Sequence, residues 1–249
     1  MCGIFCDLQK ASDCVNHDIL LEKIKYSGIT DVAYKLLKSY LSNRYQRTVI
    51  KANNSNKLFS SWKITKYGVP QGSVLGPLLF LIYINDLPAS IRKTAKSIIF
   101  ADDTSVIVTN DNKTDFSHTS HLTMIEISNW FQCNCLTLNY DKTHFLHFLT
   151  KKQNEMQQQI VTPNAVITNI NYTKFLGLII DSTLSWNNHV TEIISKLNKA
   201  CYVVRTLTFL RSPDVLKMVY FSYFQSIMSY GIIFWVNSHH SVNIFKIKK

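Results

Sequence analysis

The chain has 249 residues, with 46% hydrophobic and 12% aromatic content and only 7 Gly and 5 Pro, which excludes a disordered or low-complexity chain and allows one large domain or one plus a smaller second. A formal charge of +11, from 27 Lys and Arg against 16 Asp and Glu, points to a polyanionic partner, nucleic acid before an acidic membrane surface. Six Cys with no Cys-x-x-Cys pair, no basic leader after Met1, and a longest apolar stretch (near Val215 to Val236) interrupted by Lys217 and Gln225 fit a reduced intracellular protein without a membrane span.

Residues 3–7, Gly-Ile-Phe-Cys-Asp, read as a short buried strand ending in Asp7. His17 to Ser27 carries Ile19, Leu20, Ile24 and Tyr26 at helical spacing, with Gly28 as a stop. A second helix is expected over Val32 to Leu41, with Val32, Leu36, Leu37 and Tyr40 as its apolar face. Residues 45–51 and 57–64 read as a basic hairpin in which Tyr45, Phe59, Trp62 and Tyr67 alternate with Arg44, Arg47, Lys51, Lys57, Lys63 and Lys66. Such a mixture is either a track for nucleic acid or an ordinary solvated face. The segment Gly68-Val-Pro-Gln-Gly-Ser-Val-Leu-Gly-Pro precedes an apolar helix from Leu78 to about Asp86, for which Ser73 is a candidate cap.

Residues 97–108 form the clearest local signal. Ile98 to Phe100 and Val106 to Val108 read as the arms of a hairpin, with Ala101 to Thr104 as its turn. Asp102 and Asp103 lie side by side in that turn. Alone, such a pair most often marks a solvated turn. Further on, Asp115 to Phe131 reads as an amphipathic helix and His144 to Leu149 as a strand. Residues 151–159 read as an exposed loop, and Val161 to Ile167 and Lys174 to Ile180 as strands. After Trp186 the pattern is helical, over Val190 to Leu210 and Pro213 to Tyr230. The stretch 182–249 holds eight Lys and Arg against two Asp and Glu.

If the first strand lies beside the hairpin, Asp7, Asp102 and Asp103 converge at one sheet edge. Oxygen-only ligands favour Mg²⁺ or Mn²⁺, and three such carboxylates can serve a two-ion site for phosphoryl transfer. Cys133, Cys135, His144 and His147 lack zinc-site spacing and read as core or surface residues. Asp13, His17 and Asp18 are expected to make capping and other local hydrogen bonds. Met1-Cys2-Gly-Ile-Phe resembles the start of a glutamine amidotransferase, but a strand leading to Asp7 explains the same residues.

Five blocks in order resemble the reverse transcriptase of non-LTR retrotransposons of the jockey-like insect type. They are Asp7-Leu-Gln-Lys-Ala-Ser-Asp-Cys-Val-Asn-His-Asp; Gly68-Val-Pro-Gln-Gly-Ser through Asn85-Asp-Leu-Pro; Phe100-Ala-Asp-Asp; Trp130 with Leu136-Thr-Leu-Asn-Tyr-Asp-Lys-Thr; and Phe175-Leu-Gly-Leu-Ile-Ile-Asp. The resemblance implies an α+β fold. A polymerase palm, an antiparallel sheet with helices on one face, would span residues 1–181 and include the basic hairpin. A helical thumb-like region would span 182–249, and the fingers, which precede the first block in the family, would be missing. It implies that Asp7, Asp102 and Asp103 hold two Mg²⁺ ions, with Mn²⁺ as a substitute, and that Lys142 stands near the pyrophosphate as a proton donor. Leu8, Ser12, Gln71 and Gly72 would contact the nucleotide, and Leu176 and Gly177 the primer. The implied activity is RNA-directed DNA synthesis, with RNA template, DNA primer and dNTP as partners, in the nucleus or cytoplasm and away from membranes. The alternative is a truncated, inactive remnant that only binds nucleic acid. Ser12 stands where the family usually has an aromatic ring that blocks a ribose 2′-hydroxyl, so weak discrimination between deoxy- and ribonucleotides is expected.

Overall fold

The computed structural model describes residues 1–51, 57–91, 95–109, 113–149, 159–162, 165–210 and 212–247. Its contacts divide the chain into two units, Met1–Phe145 with Gln158–Thr168, and Leu146–Gln157 with Asn169–Lys249. The second unit takes in Asn169 to Asp181 as well as the helices that follow.

In the first unit, strand β1 (Cys2–Cys6) buries Cys2, Gly3, Ile4 and Cys6. Burial raises the pKa of the Cys2 thiol, partly offset by a hydrogen bond with Ser120, so Cys2 is a packed core residue and not the exposed nucleophile that an amidotransferase needs. Helices α1 (His17–Tyr26) and α2 (Asp31–Leu41) follow where the periodicity predicts them. The Asn16 side-chain oxygen starts α1 by accepting from the Asp18 and Ile19 N–H groups at 2.9 and 3.2 Å. Half of the expected apolar face of α2, Leu37 and Tyr40, packs against the core, and half does not. Val32 and Leu36 are 80% and 67% exposed, whereas Tyr34, Leu37, Tyr40 and Leu41 meet the core. Two apolar stripes compete on this helix, and the one with the larger rings packs against the core, half-buried except for the buried Leu41.

The basic segment forms two short ladders. Strand β2 (Tyr45–Gln46) pairs with β5 (Lys63–Ile64), and β3 (Val49–Lys51) with β4 (Lys57–Phe59), every strand residue being exposed. Helix α3 (Leu75–Ile84) begins three residues earlier than expected, because Ser73 Oγ accepts from the Gly76 N–H at 3.0 Å. After α4 (Leu87–Ser90), strands β6 (Ala95–Phe100) and β7 (Asp103–Val108) make the predicted hairpin, followed by α5 (Lys113–Cys133) and β8 (His144–His147). The sheet order is β6-β7-β1-β8, with β7 antiparallel to both β6 and β1. Ile4, Leu20, Ile24, Leu79, Tyr83, Met124 and Phe131 fill the core beneath it. The stretch expected as one strand from Val161 to Ile167 is instead an antiparallel pair, β9 (Gln159–Val161) and β10 (Val166–Thr168). Pro163 and Asn164, a turn-forming pair by sequence, lie outside the described residues. The loop expected at 151–159 lies, apart from Gln159, outside the described residues.

In the second unit, the strand expected over Lys174 to Ile180 is also a hairpin, of β11 (Tyr172–Phe175) and β12 (Leu178–Asp181). Its two-residue turn is Leu176 and Gly177 at φ 45° and 79°, the left-handed pair that a twisted hairpin needs. Helix α6 (Asn187–Leu207) buries Val190, Ile193, Leu197 and Ala200, a single stripe at helical spacing. Helix α7 (Pro213–Val219), a π-helical stretch at Tyr220–Gln225, and α8 (Ser226–Ser229) form one continuous helical run. Short helices α9 (Ile232–Trp235) and α10 (Val242–Ile247) complete it. Phe224, Met228, Trp235 and Ile244 close the core against α6. The chain is thus α+β. Among the described residues, no helix is long and apolar enough to cross a membrane.

Candidate active site

The register of the sheet brings the acidic residues together. Cys6, the last residue of β1, lies opposite Thr104 on β7. Asp7 therefore leaves β1 beside the first residue of β7, which is Asp103. The β6–β7 turn is tighter than the four residues expected. Phe100 pairs with Asp103, leaving only Ala101 and Asp102 in the loop, and Ala101 takes φ 54°. That geometry suits the right-handed twist of the strands and sets Asp102 at an exposed tip. Loss of hydration at Asp103, together with the charges of Asp102 and Asp7, raises the pKa of its carboxyl.

Asp7 is held from the other side by the 136–143 segment. Leu8 bridges Leu138, Gln9 N–H donates to Thr137 O, and Asn139 N–H donates to Asp7 O at 2.9 Å, which prolongs the sheet past β1. The Asn139 side-chain amide donates to Asp7 Oδ2 at 3.2 Å, and Lys142 Nζ stands 3.9 Å from the same oxygen. Thr143 Oγ1 accepts from Asp7 N–H and donates to Asn139 O. Lys142 is 70% exposed, so its ammonium is free to turn toward a ligand. Asn139 was not singled out from the sequence, although it lies in the quoted block. Its partner is 132 positions away, and only the fold pairs them.

A cavity of about 480 Å³ opens beside the hairpin tip, lined by Ser12, Gln71, Gly72, Phe80, Phe100 and Asp102, among others. Its floor is a clamp between two loops. Gly68 N–H donates to Val15 O, Val69 N–H donates to Ser12 O, and a His17 ring nitrogen meets Gly68 O at 2.8 Å. Gln71 Nε2 donates to Asp13 Oδ1 at 3.0 Å. The Asp13 and His17 side chains therefore join distant loops, while the Asp13 N–H also makes a local bond, to Lys10 O at 2.9 Å. Gly68 is required here: its φ is 84°, and a Cβ would lie 2.9 Å from the Asp13 backbone.

The structure thus groups Ser12, Gln71, Gly72 and Asp102 around one cavity, and sets Asp7, Asp103 and Lys142 at the adjoining sheet end. Leu8 is only 6% exposed and packs into the core, so its side chain is not offered to a nucleotide. Leu176 and Gly177 belong to the second unit. There the Tyr230 hydroxyl donates to Leu176 O at 2.5 Å, and the bare Gly177 Cα lets the Tyr230 ring approach.

Among the described residues, no group of three or more His, Cys, Asp or Glu side chains forms a ready-made metal cage, at the acidic cluster or at Cys133 and Cys135. The fit of Asp7, Asp102 and Asp103 to a metal rests on donor chemistry and charge. All three are hard oxygen donors, and their mutual repulsion at Asp103 is the kind that a divalent cation relieves.

The family described as "Reverse transcriptase (RNA-dependent DNA polymerase)" matches residues 1–180. A Drosophila melanogaster protein described as "Probable RNA-directed DNA polymerase from transposon BS" is 28% identical over 243 residues, covering 94% of this chain and 26% of that protein. A second from the same organism, "Probable RNA-directed DNA polymerase from transposon X-element", is 30% identical over 198 residues, covering 78% of this chain and 21% of that protein. The chain therefore spans about a quarter of the length of these curated relatives. Among solved structures, an apo telomerase from Candida tropicalis, truncated from its C-terminal domain, aligns at 18% identity with a TM-score of 0.49, covering 73% of this chain and 34% of that one.

Proposed function

The chain belongs to the reverse transcriptase (RNA-dependent DNA polymerase) family, and from that membership we propose that its first unit is the palm of an RNA-directed DNA polymerase of a mobile element. The observation that carries the reading is the register that sets Asp7 beside Asp103, next in the chain to Asp102, which lines a cavity together with Ser12, Gln71 and Gly72. The reaction joins a primer 3′-oxygen to the α-phosphorus of a dNTP and releases pyrophosphate. Asp7, Asp102 and Asp103 would hold the divalent ions. When bound, such ions lower the pKa of the 3′-hydroxyl and offset the charge that builds at phosphorus.

The remaining work belongs to the protein's own groups. Asn139 fixes the Asp7 carboxylate in one orientation, so little reorganisation is needed when charge develops. Lys142, exposed and 3.9 Å from Asp7, would give a proton to the departing pyrophosphate. Gln71, braced by Asp13, and Gly72, with no side chain, form a wall against which the incoming nucleotide and template base can lie. Phe80 and Phe100 give the cavity an apolar side that favours a base over water. Ser12 leaves room beside the sugar. In the second unit, the Leu176–Gly177 turn would touch the primer, and the helices would act as a thumb.

The test is primer extension by the 249-residue chain on an RNA template with Mg²⁺ or Mn²⁺. Extension that is lost in Asp102→Asn, while binding of the primer–template persists, supports the polymerase. Binding without extension in the unaltered protein supports the remnant reading instead.

A further inference from the structure

All six cysteines are free thiols, and the chemistry above uses none of them. We propose that Cys14 and Cys135 form a redox-sensitive pair, which a peroxide converts into a disulfide that ties the Ser12–Asp13 turn to the 136–143 segment. The inference goes beyond the polymerase reading and does not depend on it.

The fold singles out this pair. Cys2 and Cys6 are buried, and burial raises the pKa of Cys2 and pushes the Cys6 thiol up to about 12, so neither gives the thiolate that oxidation needs. Cys201 lies in the second unit. Cys14 and Cys135 are joined by three routes, all within the first unit. First, the Asn16 N–H donates to the Tyr83 hydroxyl at 3.3 Å, and that hydroxyl donates to Asn134 O at 2.5 Å. One oxygen thus links the chain just after Cys14 to the chain just before Cys135. Second, the Cys14 thiol donates to Gln9 O at 3.6 Å, while Gln9 N–H donates to Thr137 O at 2.9 Å, just past Cys135. Third, the Tyr83 pKa, raised chiefly by burial, is raised further by the charges of Cys135 and Cys14, so both sulfurs lie within electrostatic reach of one phenol.

Cys135 is also an unusual residue for its place. It ends α5 in the left-handed conformation, at φ 54°. Its N–H donates to Gln132 O at 3.0 Å, and the Leu136 N–H to Phe131 O at 2.9 Å. That closing pattern favours Gly, and here it holds an exposed thiol on a fixed turn. Cys14 is half-buried, so an oxidant meets Cys135 first.

The step balances with hydrogen peroxide as the oxidant. The Cys135 thiolate attacks one peroxide oxygen, the O–O bond breaks, and the hydroxide released takes up the Cys135 thiol proton as water. The Cys14 sulfur then attacks the sulfenic sulfur, the S–O bond breaks, and a second water leaves with the Cys14 proton. Two thiols are oxidised by two electrons, and one peroxide is reduced to two waters. A dithiol reverses the bridge by exchange. A disulfide needs α-carbons about 4.4–6.8 Å apart, so closure draws the two turns together. Ser12 lines the cavity and Asp13 braces Gln71, so the state of the pair is passed to the cavity wall.

The experiment treats the reduced full chain with hydrogen peroxide, caps the remaining thiols by alkylation and maps the digest by mass spectrometry without reduction. The expected product is a peptide pair joined through Cys14 and Cys135, two hydrogens lighter than the separate peptides and released by dithiothreitol. Cys133→Ser should form the same bridge. In Cys14→Ser the bridge is lost, and a 1,3-dione captures the sulfenic acid at Cys135. Because the bridge closes a long loop between native neighbours, the oxidised parent should melt about 5 °C or more above the reduced one, and Cys135→Ser should show no such rise. Peroxide that links Cys133 or Cys135 between two chains instead, or that leaves Cys14 open to alkylation, would overturn the proposal. So would a bridge that leaves Tm unchanged or lowers it, since it would come from an opened state and not from the native fold.

Discussion

Asp181 closes the β11–β12 hairpin and starts helix α6, and it is nearly buried. Its Oδ1 accepts from the Thr183 N–H, the Thr183 hydroxyl and the Ser185 N–H, and its Oδ2 from the Ser185 hydroxyl and the Trp186 N–H, at 2.8 to 3.2 Å. Burial alone would raise its pKa, but these donors together outweigh burial and lower it. Replacement by Ala leaves three backbone donors without their acceptor. Water can reach the exposed Thr183 side of the turn, so the net cost should be about 2–4 kcal/mol rather than the sum of five charged hydrogen bonds. For a unit of this size that is a fall of roughly 10 °C or more in Tm, read by circular dichroism. Asn should be nearly as costly, because its amide would face the Trp186 N–H. The sign with pH follows from the lowered folded pKa. The stabilisation is complete above the unfolded value of about 3.9 and is lost as pH falls through the folded one. The unaltered chain should therefore lose stability steeply below about pH 4, and Asp181→Ala should lose less there. A Tm for Asp181→Ala within 2 °C of the parent at neutral pH would refute this reasoning.

Gly68→Ala should cost about 3 kcal/mol in urea unfolding, from its left-handed backbone and the close Asp13 contact, and should loosen the loop that carries Gln71. Tyr83→Phe should cost roughly 1–2 kcal/mol, because the buried Asn134 carbonyl loses the hydroxyl that donates to it at 2.5 Å. Burial pushes the Tyr83 phenol up to about 12, so its contribution is intact below about pH 10 and drains as pH rises toward 12; the Phe variant should lack that alkaline loss. Ser12→Phe should raise selection for deoxy- over ribonucleotides in single-nucleotide extension, since a ring would fill the part of the cavity that Ser12 leaves open. Equal selectivity in both proteins would remove Ser12 from the account.

The part of the fold that positions the acids was legible because its strands are runs of β-branched residues with an Asp pair between them. Cys2 to Cys6 and Ile98 to Val108 can hardly be read otherwise, and the pairing of β1 with β7 then brings Asp7 to Asp103. What escaped was whatever depends on a distant partner. Asn139 gains its role only when the 136–143 segment lies against Asp7, and Asp13 only when the Gln71 loop closes over it. Leu176 and Gly177 hid a turn inside an apolar run, because hydrophobic alternation does not register two left-handed residues. On α2, both Val32–Leu36 and Tyr34–Leu41 have helical spacing, and only packing decides which one meets the core.

Uptake of Mn²⁺ by the chain, followed by electron paramagnetic resonance, tests whether the three carboxylates share an ion without relying on turnover. Asp7 and Asp103 are far apart in the sequence, so a shared ion exists only if the β1–β7 register is as described. Asp7→Asn and Asp103→Asn should each weaken Mn²⁺ binding by about tenfold or more while leaving thermal unfolding close to that of the parent. Mn²⁺ affinity unchanged by Asp7→Asn would contradict the shared site and the polymerase reading built on it.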